Sequence, residues 1–338
     1  MNDLHMPAFV PATLRRRFAA ATVALAGAIA LPLLPSAASA QSTYPDHAIR
    51  FVVNQPPGGP SDIVLRTALE KMQAGYKQAL VLDNKPGAAG NLGSSEVARA
   101  APDGYTWLWT PDTAVTVNPH VYQRLGFKVD DLQPVMVASE FSQTLVCNPL
   151  VGVKNVRELV ARAKDKQMSY ASGGPGSPGH LATELFLTTA GIKMNHVPYK
   201  GPAPAMQDVI GGQVECGFLA GPTVLPMVKA GKLVALAVSG RQRSAILPDV
   251  PTVAESGYPG YDATFSLVLF APKGTPAPIV EQVRESMARA LQNPELVEKL
   301  KLSDQQVVAL SPEKSAVQLA ADSKKWGEVA RRINLRQD

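Results

Sequence analysis

Two glycine-rich stretches hold the residues best suited to chemistry. Residues 170–181 read YASGGPGSPGHL and contain Gly174-x-Gly176-x-x-Gly179. Residues 56–62 read PPGGPSD. Each follows an apolar run with strand character and precedes a segment with helical spacing. Glycine lets main-chain N–H groups approach a ligand closely. A helix start adds N–H groups without intrahelical acceptors and a partial positive charge. Together these features suit a small anion. Pro57, Gly58, Gly59, Ser61 and Asp62 are the candidates in the first stretch, with Ser61 or Asp62 near the helix cap. Ser172, Gly173, Gly174, Gly176, Ser177 and His180 are those in the second, with Ser177 as cap and Pro178 at the first helical position.

Other chemistry fits less well. The glycine spacing matches a dinucleotide fingerprint, but that motif wants an acidic residue about 20 positions on to hold the ribose. Residues 196–200 read His-Val-Pro-Tyr-Lys instead, so no cofactor is expected; a plain tight turn is the other reading of these glycines. Ser177 lacks the glycine two places before it that a nucleophile elbow requires. No serine, base and orienting group form a readable set, and a hydrolase is the least favoured alternative. The histidines and two cysteines are scattered without metal-ligand spacing. Net charge is +5 over 338 residues, without a dense Lys/Arg block, which gives no case for nucleic acid.

The elements that position these loops are readable in outline. Residues 49–53, 79–82 and 105–110 are strands, with helices over 62–72 and 91–100 between them. After two extended runs at 135–138 and 144–148, the rhythm resumes. Strands are expected at 168–171, 194–198, 213–218 and 233–238, with helices at 178–190, 202–210 and 222–230. Another extended run covers 265–272, and three helices near 276–292, 294–301 and 312–332 end the chain. Such alternation implies α/β lobes with mainly parallel sheets flanked by helices. The predicted division is a discontinuous first lobe, 41–140 plus 262–338, and a second lobe, 141–261, with a cleft and hinge between them. In open α/β sheets ligands sit beyond the carboxyl ends of the strands. That rule adds Thr110 and Asp112, Tyr199 and Lys200, and Leu219 and Ala220 to the candidates. Asp62 either holds a ligand ammonium or caps its helix, Lys200 either meets a distal carboxylate or stays solvated, and His180 is either structural or a ligand contact.

Residues 1–40 read as an export leader. Arg15, Arg16 and Arg17 precede an apolar run, and Ala38-Ser39-Ala40 is a small-residue cleavage pattern, with cutting after Ala40. Arg15-Arg16 leaves general secretion and the twin-arginine route both open. Cleavage leaves a net charge of +3. An oxidising compartment permits Cys147 and Cys216 to pair, although two buried free thiols are the plainer reading.

Seven motifs occur in order: the two glycine-rich stretches, NKPGAAGNLGSSEVARAAPDGYT at 84–106, HVPYKGPAPAMQDVIGGQV at 196–214, AGKLVALAV at 230–238, LPDVPTVAESGYPGY at 247–261 and APKGTP at 271–276. The set resembles the Bug family, periplasmic solute-binding proteins of tripartite tricarboxylate transporters, over nearly all of the chain after the leader. The resemblance implies a two-lobed periplasmic binding protein fold of type II-like design, monomeric, that closes on a small carboxylate and delivers it to membrane permease subunits. It implies binding and not catalysis. A closed form engaging a sensor kinase ectodomain is the alternative partner. Three departures stand out: no acidic residue occurs near Phe218-Leu219-Ala220, Phe265-Ser266 replaces the tryptophan often found near 265, and the first loop begins with Asn54-Gln55 before its prolines. The more apolar wall they imply points towards a less charged or aromatic acid.

Overall fold

A computed structural model describes residues 44–337. The leader, its cleavage point after Ala40 and Gln41 lie outside the described residues. The chain then builds β1 (Ile49–Val53), α1 (Pro60–Met72), β2 (Leu80–Asn84), α2 (Asn91–Ala98), β3 (Thr106–Pro111), the short α3 (Thr113–Thr116) and α4 (Asn118–Val121), and β4 (Leu132–Phe141). It continues through β5 (Gln143–Cys147), α5 (Val156–Asp165), β6 (Ser169–Ser172), α6 (Pro178–Ala190), β7 (Asn195–Pro198), α7 (Pro202–Ile210), β8 (Cys216–Ala220), α8 (Gly221–Lys229) and β9 (Val234–Val238). It ends with β10 (Phe265–Pro272), α9 (Ala277–Leu291), α10 (Pro294–Leu302), β11 (Gln305–Val307) and α11 (Pro312–Arg332).

These strands form two sheets, ordered β11-β4-β10-β3-β1-β2 and β7-β6-β8-β5-β9. β1 runs parallel to β2 and β3, and β6 runs parallel to β7 and β8. Antiparallel pairs arise at the strands next to the crossings, where β10 meets β3 and β4, and β5 meets β8 and β9. Both sheets are covered on both faces. On β1, Phe51 and Val53 enter one core cluster while Val52 enters the opposite one, so the strand reads as an apolar run. Only Arg50 breaks it, at ion-pair contact with Asp83 and Glu96.

α11 spans both sheets. Ser311 caps it through the Lys314 amide, and Pro312 opens it. Leu319 packs on the first sheet's core, whereas Trp326, Val329 and Ala330 join a cluster dominated by second-sheet residues. Trp326 stacks on Phe265 at the start of β10, with centroids 5.0 Å apart.

Two local expectations change. β8 begins at Cys216, later than the strand expected from 213, because residues 211–214 wrap the end of α7; Gly212 takes φ +72° and the Gln213 amide returns to Asp208. α1 is capped by Gly59 with Pro60 at its first position, which moves Ser61 and Asp62 into the first turn.

Cys147 and Cys216 form a disulfide, which replaces the reading as free thiols. β5 and β8 are antiparallel neighbours, and their register sets the two cysteines directly opposite one another. A bridge over 69 residues constrains the unfolded chain. Replacing both cysteines by serine is expected to lower unfolding free energy by about 2–5 kcal/mol, measured by urea denaturation of oxidised wild type and the double variant.

Candidate functional site

The sheet topology brings the predicted strand exits to one seam. β4 of the first sheet passes into β5 of the second through Ser142 alone. β10 starts level with the end of β4, since Phe265 pairs with Phe141, and it runs antiparallel to β3, since Leu267 pairs with Pro111. The ends of β1, β2 and β3 therefore share the edge from which the chain leaves for the other sheet. In the second sheet Gln143 at the start of β5 pairs with Ala220 at the end of β8, so the ends of β8 and β6 face the same seam.

On the first-sheet side the loop 56–62 is held by its own carboxylate. Asp62 accepts hydrogen bonds from the Gly58 amide (3.1 Å), Asn84 Nδ2 (3.0 Å) and Arg66 (3.1 Å). Burial works against its ionisation, but the bonds from Asn84, Gly58 and Arg66 prevail and hold it below the usual range. Asp62 is thus a loop-closing residue. Pro57 and Gly58 are exposed and Gly59 is half-buried. Ser61 is buried; its carbonyl accepts the Trp109 indole N–H at 3.0 Å, while its Oγ has no partner.

Three further polar side chains at this edge leave an atom unpaired. Asn54, just past β1, places Nδ2 2.6 Å from Thr110 Oγ1 and 3.2 Å from the Gly90 carbonyl, but its Oδ1 is bare. Thr110 passes its own proton to the Pro111 carbonyl and is fully engaged. Asn91, opening α2, accepts from Asn118 through Oδ1 at 2.7 Å and leaves Nδ2 unpaired. Asp112, fully buried after β3, accepts the Ser266 amide through Oδ1 at 3.1 Å and leaves Oδ2 bare. Buried polar atoms are nearly always paired, so four such atoms at one edge mark a place for water or ligand. Asn54 and Asn91 were absent from the expected site. A polar residue immediately after a strand and another at a helix start were the available signals.

The second-sheet loop is knit from its own side chains as well. Ser172 Oγ accepts the Gly174 amide at 3.1 Å and meets His196 Nε2 at 2.7 Å. His180 Nδ1 accepts the Gly176 amide at 3.0 Å. Its ring stacks on His196 with centroids 4.1 Å apart, and His196 stacks on Tyr170, whose hydroxyl donates to Glu184 at 2.5 Å. Burial pushes His180 down to about 3, aided by His196, and burial pushes His196 to about 4. Both imidazoles are therefore neutral at pH 7. With Pro175, Glu184, Leu335 and Arg336 they line a cavity of about 330 Å³. Ser177 caps α6 as expected. Gly173 packs against Gly201 and Pro202, and Gly174, at φ +118°, has room for a Cβ only 3.1 Å from the Tyr199 carbonyl. A side chain at Gly179 would collide with the Phe218 carbonyl, so this glycine serves helix-on-strand packing.

The remaining candidates differ in exposure. Tyr199 donates its hydroxyl to Asp208 of α7 at 2.5 Å, and Lys200 is exposed. Leu219 is packed in the second-sheet core, while Ala220 is half-buried and caps α8. Thr144 on β5, not among the expected residues, is buried with its Oγ1 unpaired.

Residues 64–335 match the model of the tripartite tricarboxylate transporter family receptor. The chain belongs to this receptor family. It is 34% identical over 293 residues to Protein BugT of Bordetella pertussis, covering 86% of this chain and 90% of that one. Among solved structures it resembles R. palustris Rpa4515 with adipate, with a TM-score of 0.75 and 30% identity, covering 87% of this chain and all of the other. It also resembles MatC from Rhodopseudomonas palustris with bound malate, with a TM-score of 0.69 and 27% identity, over 85% of this chain and 99% of that one. The receptor shares their two-sheet periplasmic binding protein fold.

The neutral histidine pair makes a pH prediction. An unfolded histidine takes up its proton near pH 6.5, whereas His196 resists it until about 4 and His180 until about 3. Their contribution is complete above pH 6.5 and disappears as pH falls through 4 to 3. Thermal melts are expected to show a midpoint dropping by several degrees from pH 6.5 to 4, with a shallower drop in His196→Gln.

Proposed function

We propose that this receptor captures a small dicarboxylate in the seam between the two sheets and passes it to the membrane permease subunits of a tripartite transporter. The two lobes are 41–140 plus 262–338 and 141–261, turning about the crossings at Ser142 and 262–264. Residues 1–40 direct export to the periplasm and are removed by cleavage after Ala40.

The observation that carries this reading is the set of unpaired buried atoms on Asn54, Ser61, Asn91 and Asp112 at the edge where the strands β1, β2 and β3 end. Cations near this edge are committed elsewhere: Arg66 to Asp62, and Arg50 to Asp83 and Glu96. A guest acid would therefore be met by hydroxyl, amide and main-chain N–H donors and by the positive starts of α1 and α6. Ordered waters can bridge what the side chains do not reach. Adipate in Rpa4515 and malate in MatC support a dicarboxylate of this size. Closure needs a ligand that touches both sides, because only differential affinity for open and closed forms shifts that equilibrium.

Thermal-shift screening of protein beginning at Gln41 tests the ligand class. At 100 times its Kd, a binding acid adds about 2.7 kcal/mol of apparent stability, a rise of several degrees. Adipate or malate is expected to give that rise; no shift with any mono-, di- or tricarboxylate would remove the reading. Ser61→Ala loses no internal side-chain bond, so it is expected to fold normally and weaken binding of the acid by roughly 2- to 10-fold, the worth of one hydrogen bond, measured by calorimetric titration.

A further inference from the structure

Asp112 is the least comfortable residue at the seam. Its carboxyl is fully buried. Among the described residues no cation stands within ion-pair distance of it. Oδ1 is spent on the Ser266 amide of β10, the Asp112 amide donates to the Ser266 carbonyl at 2.8 Å, and Oδ2 has no partner. A buried carboxylate with a bare oxygen and no counter-ion is costly; the cheaper form carries a proton. That proton belongs on Oδ2, since Oδ1 already accepts.

The neighbouring charges favour the same form. α11 faces it with Asp322 and Lys325, but Lys325 is committed to Asp322 at 2.9 Å and approaches Asp262 at 4.0 Å. Burial, and then the charge of Asp322, push Asp112 up to about 7 against the pull of the Ser266 and Thr113 amides and of Lys325. β10 meets it through the uncharged Ser266, and on β4 Glu140, opposite Ser266, accepts from Gln318, which also donates to Ser266 Oγ. Farther off, Asp262 is held by Arg241 and Thr264.

Resting on the dicarboxylate reading, we infer that Asp112 binds the ligand as a neutral acid, donating its Oδ2 proton to a ligand carboxylate oxygen while Oδ1 holds the Ser266 amide of the crossing strand. This single residue then joins ligand recognition to β10, the strand entered from the second crossing. It also makes capture proton-linked. Ionised Asp112 would set carboxylate against carboxylate, so binding above neutral pH must take up one proton. The consequence is a receptor that favours acids in a neutral or mildly acidic medium without using a cationic side chain to hold them.

The test is calorimetric titration of adipate, and separately of malate, from pH 5.5 to 8.5 with wild type, Asp112→Asn, Asp112→Ala and Asp322→Asn. Wild type is expected to lose affinity about tenfold per pH unit once above pH 7, with uptake of one proton seen by comparing buffers of different ionisation enthalpy. Asparagine offers the same acceptor to Ser266 and a fixed donor to the ligand. Asp112→Asn should therefore bind with pH-independent affinity near the acidic wild-type value, while Asp112→Ala should be weak at every pH. In Asp322→Asn, loss of the neighbouring negative charge should move the onset to lower pH. A flat wild-type profile, or an Asp112→Asn profile as steep as wild type, overturns the inference while leaving dicarboxylate binding intact. If neither acid binds any of the four proteins at any pH, the inference falls together with the dicarboxylate reading.

Discussion

Everything at the seam follows from how the chain crosses between two sheets. A chain that leaves one parallel sheet from the carboxyl ends of its strands enters the second sheet from the edge where that sheet's parallel strands end. The first strand after the crossing, β5, therefore runs against β8. The returning strand β10 likewise runs against β3 and β4. Antiparallel pairs thus mark the crossings, parallel pairs mark the βαβ units, and all parallel strands must end at the seam. The loops after β1, β3, β6 and β8 have nowhere else to go. α11 then packs on both sheets, with Leu319 on one core and Trp326 on the other.

This constraint also shapes the electrostatics. Both glycine-rich loops were expected to offer main-chain donors to a guest. In the fold several of those donors are used internally: Gly58 by Asp62, Gly174 by Ser172 and Gly176 by His180. The loops are preorganised by these bonds, so little ordering remains to be done on binding. What stays unpaired is a set of side-chain atoms one step deeper, on Asn54, Ser61, Asn91, Asp112 and Thr144. The fingerprint Gly174-x-Gly176-x-x-Gly179 keeps the physics of a phosphate loop, including a third glycine for close helix packing against β8. It lacks the acidic residue that would bind a ribose.

Legibility in the sequence followed how local each determinant was. α6, α7 and α11 occupy the expected spans 178–190, 202–210 and 312–332, because a cap or an N1 proline fixes each start. α5 was legible but unread: Asn155 and Glu158 form a capping pair, and Val156, Leu159 and Val160 recur at helical spacing on one buried face. β11 is three residues long and gains its strand character only by pairing with β4. The disulfide depended on a register set by residues far apart in sequence. The candidate residues divided along the same line. Ser61 and Asp112 sit where strand-exit logic places them, whereas the internal bonds of Asp62, Thr110 and Tyr199 depend on Asn84, Asn54 and Asp208, partners the sequence does not pair in advance.

The two crossings are each anchored on both sides, and the proposed closure would bend between those anchors. On the second-sheet side Asp262 is fastened to Arg241 at 2.8 Å and accepts the Thr264 hydroxyl at 2.5 Å; burial opposes its charge, but Lys325, Thr264 and Arg241 outweigh that and keep it ionised. On the first-sheet side Ser266 is fastened to Asp112 and Phe265 stacks on Trp326. Between these anchors only the junction of Thr264 and Phe265 is left. In the other crossing Gln143 is held through its amide by Ser239, leaving Ser142 as the link to β4. Gly240 lies beside both links, and a Cβ there would stand 3.0 Å from the Ser142 Cβ and 3.5 Å from Thr264 Oγ1. With the Asp262–Arg241 pair kept whole on one side and a neutral hydrogen bond and an aromatic stack on the other, the proposed closure turns a few dihedrals without separating that ion pair, which keeps the cost of closing low.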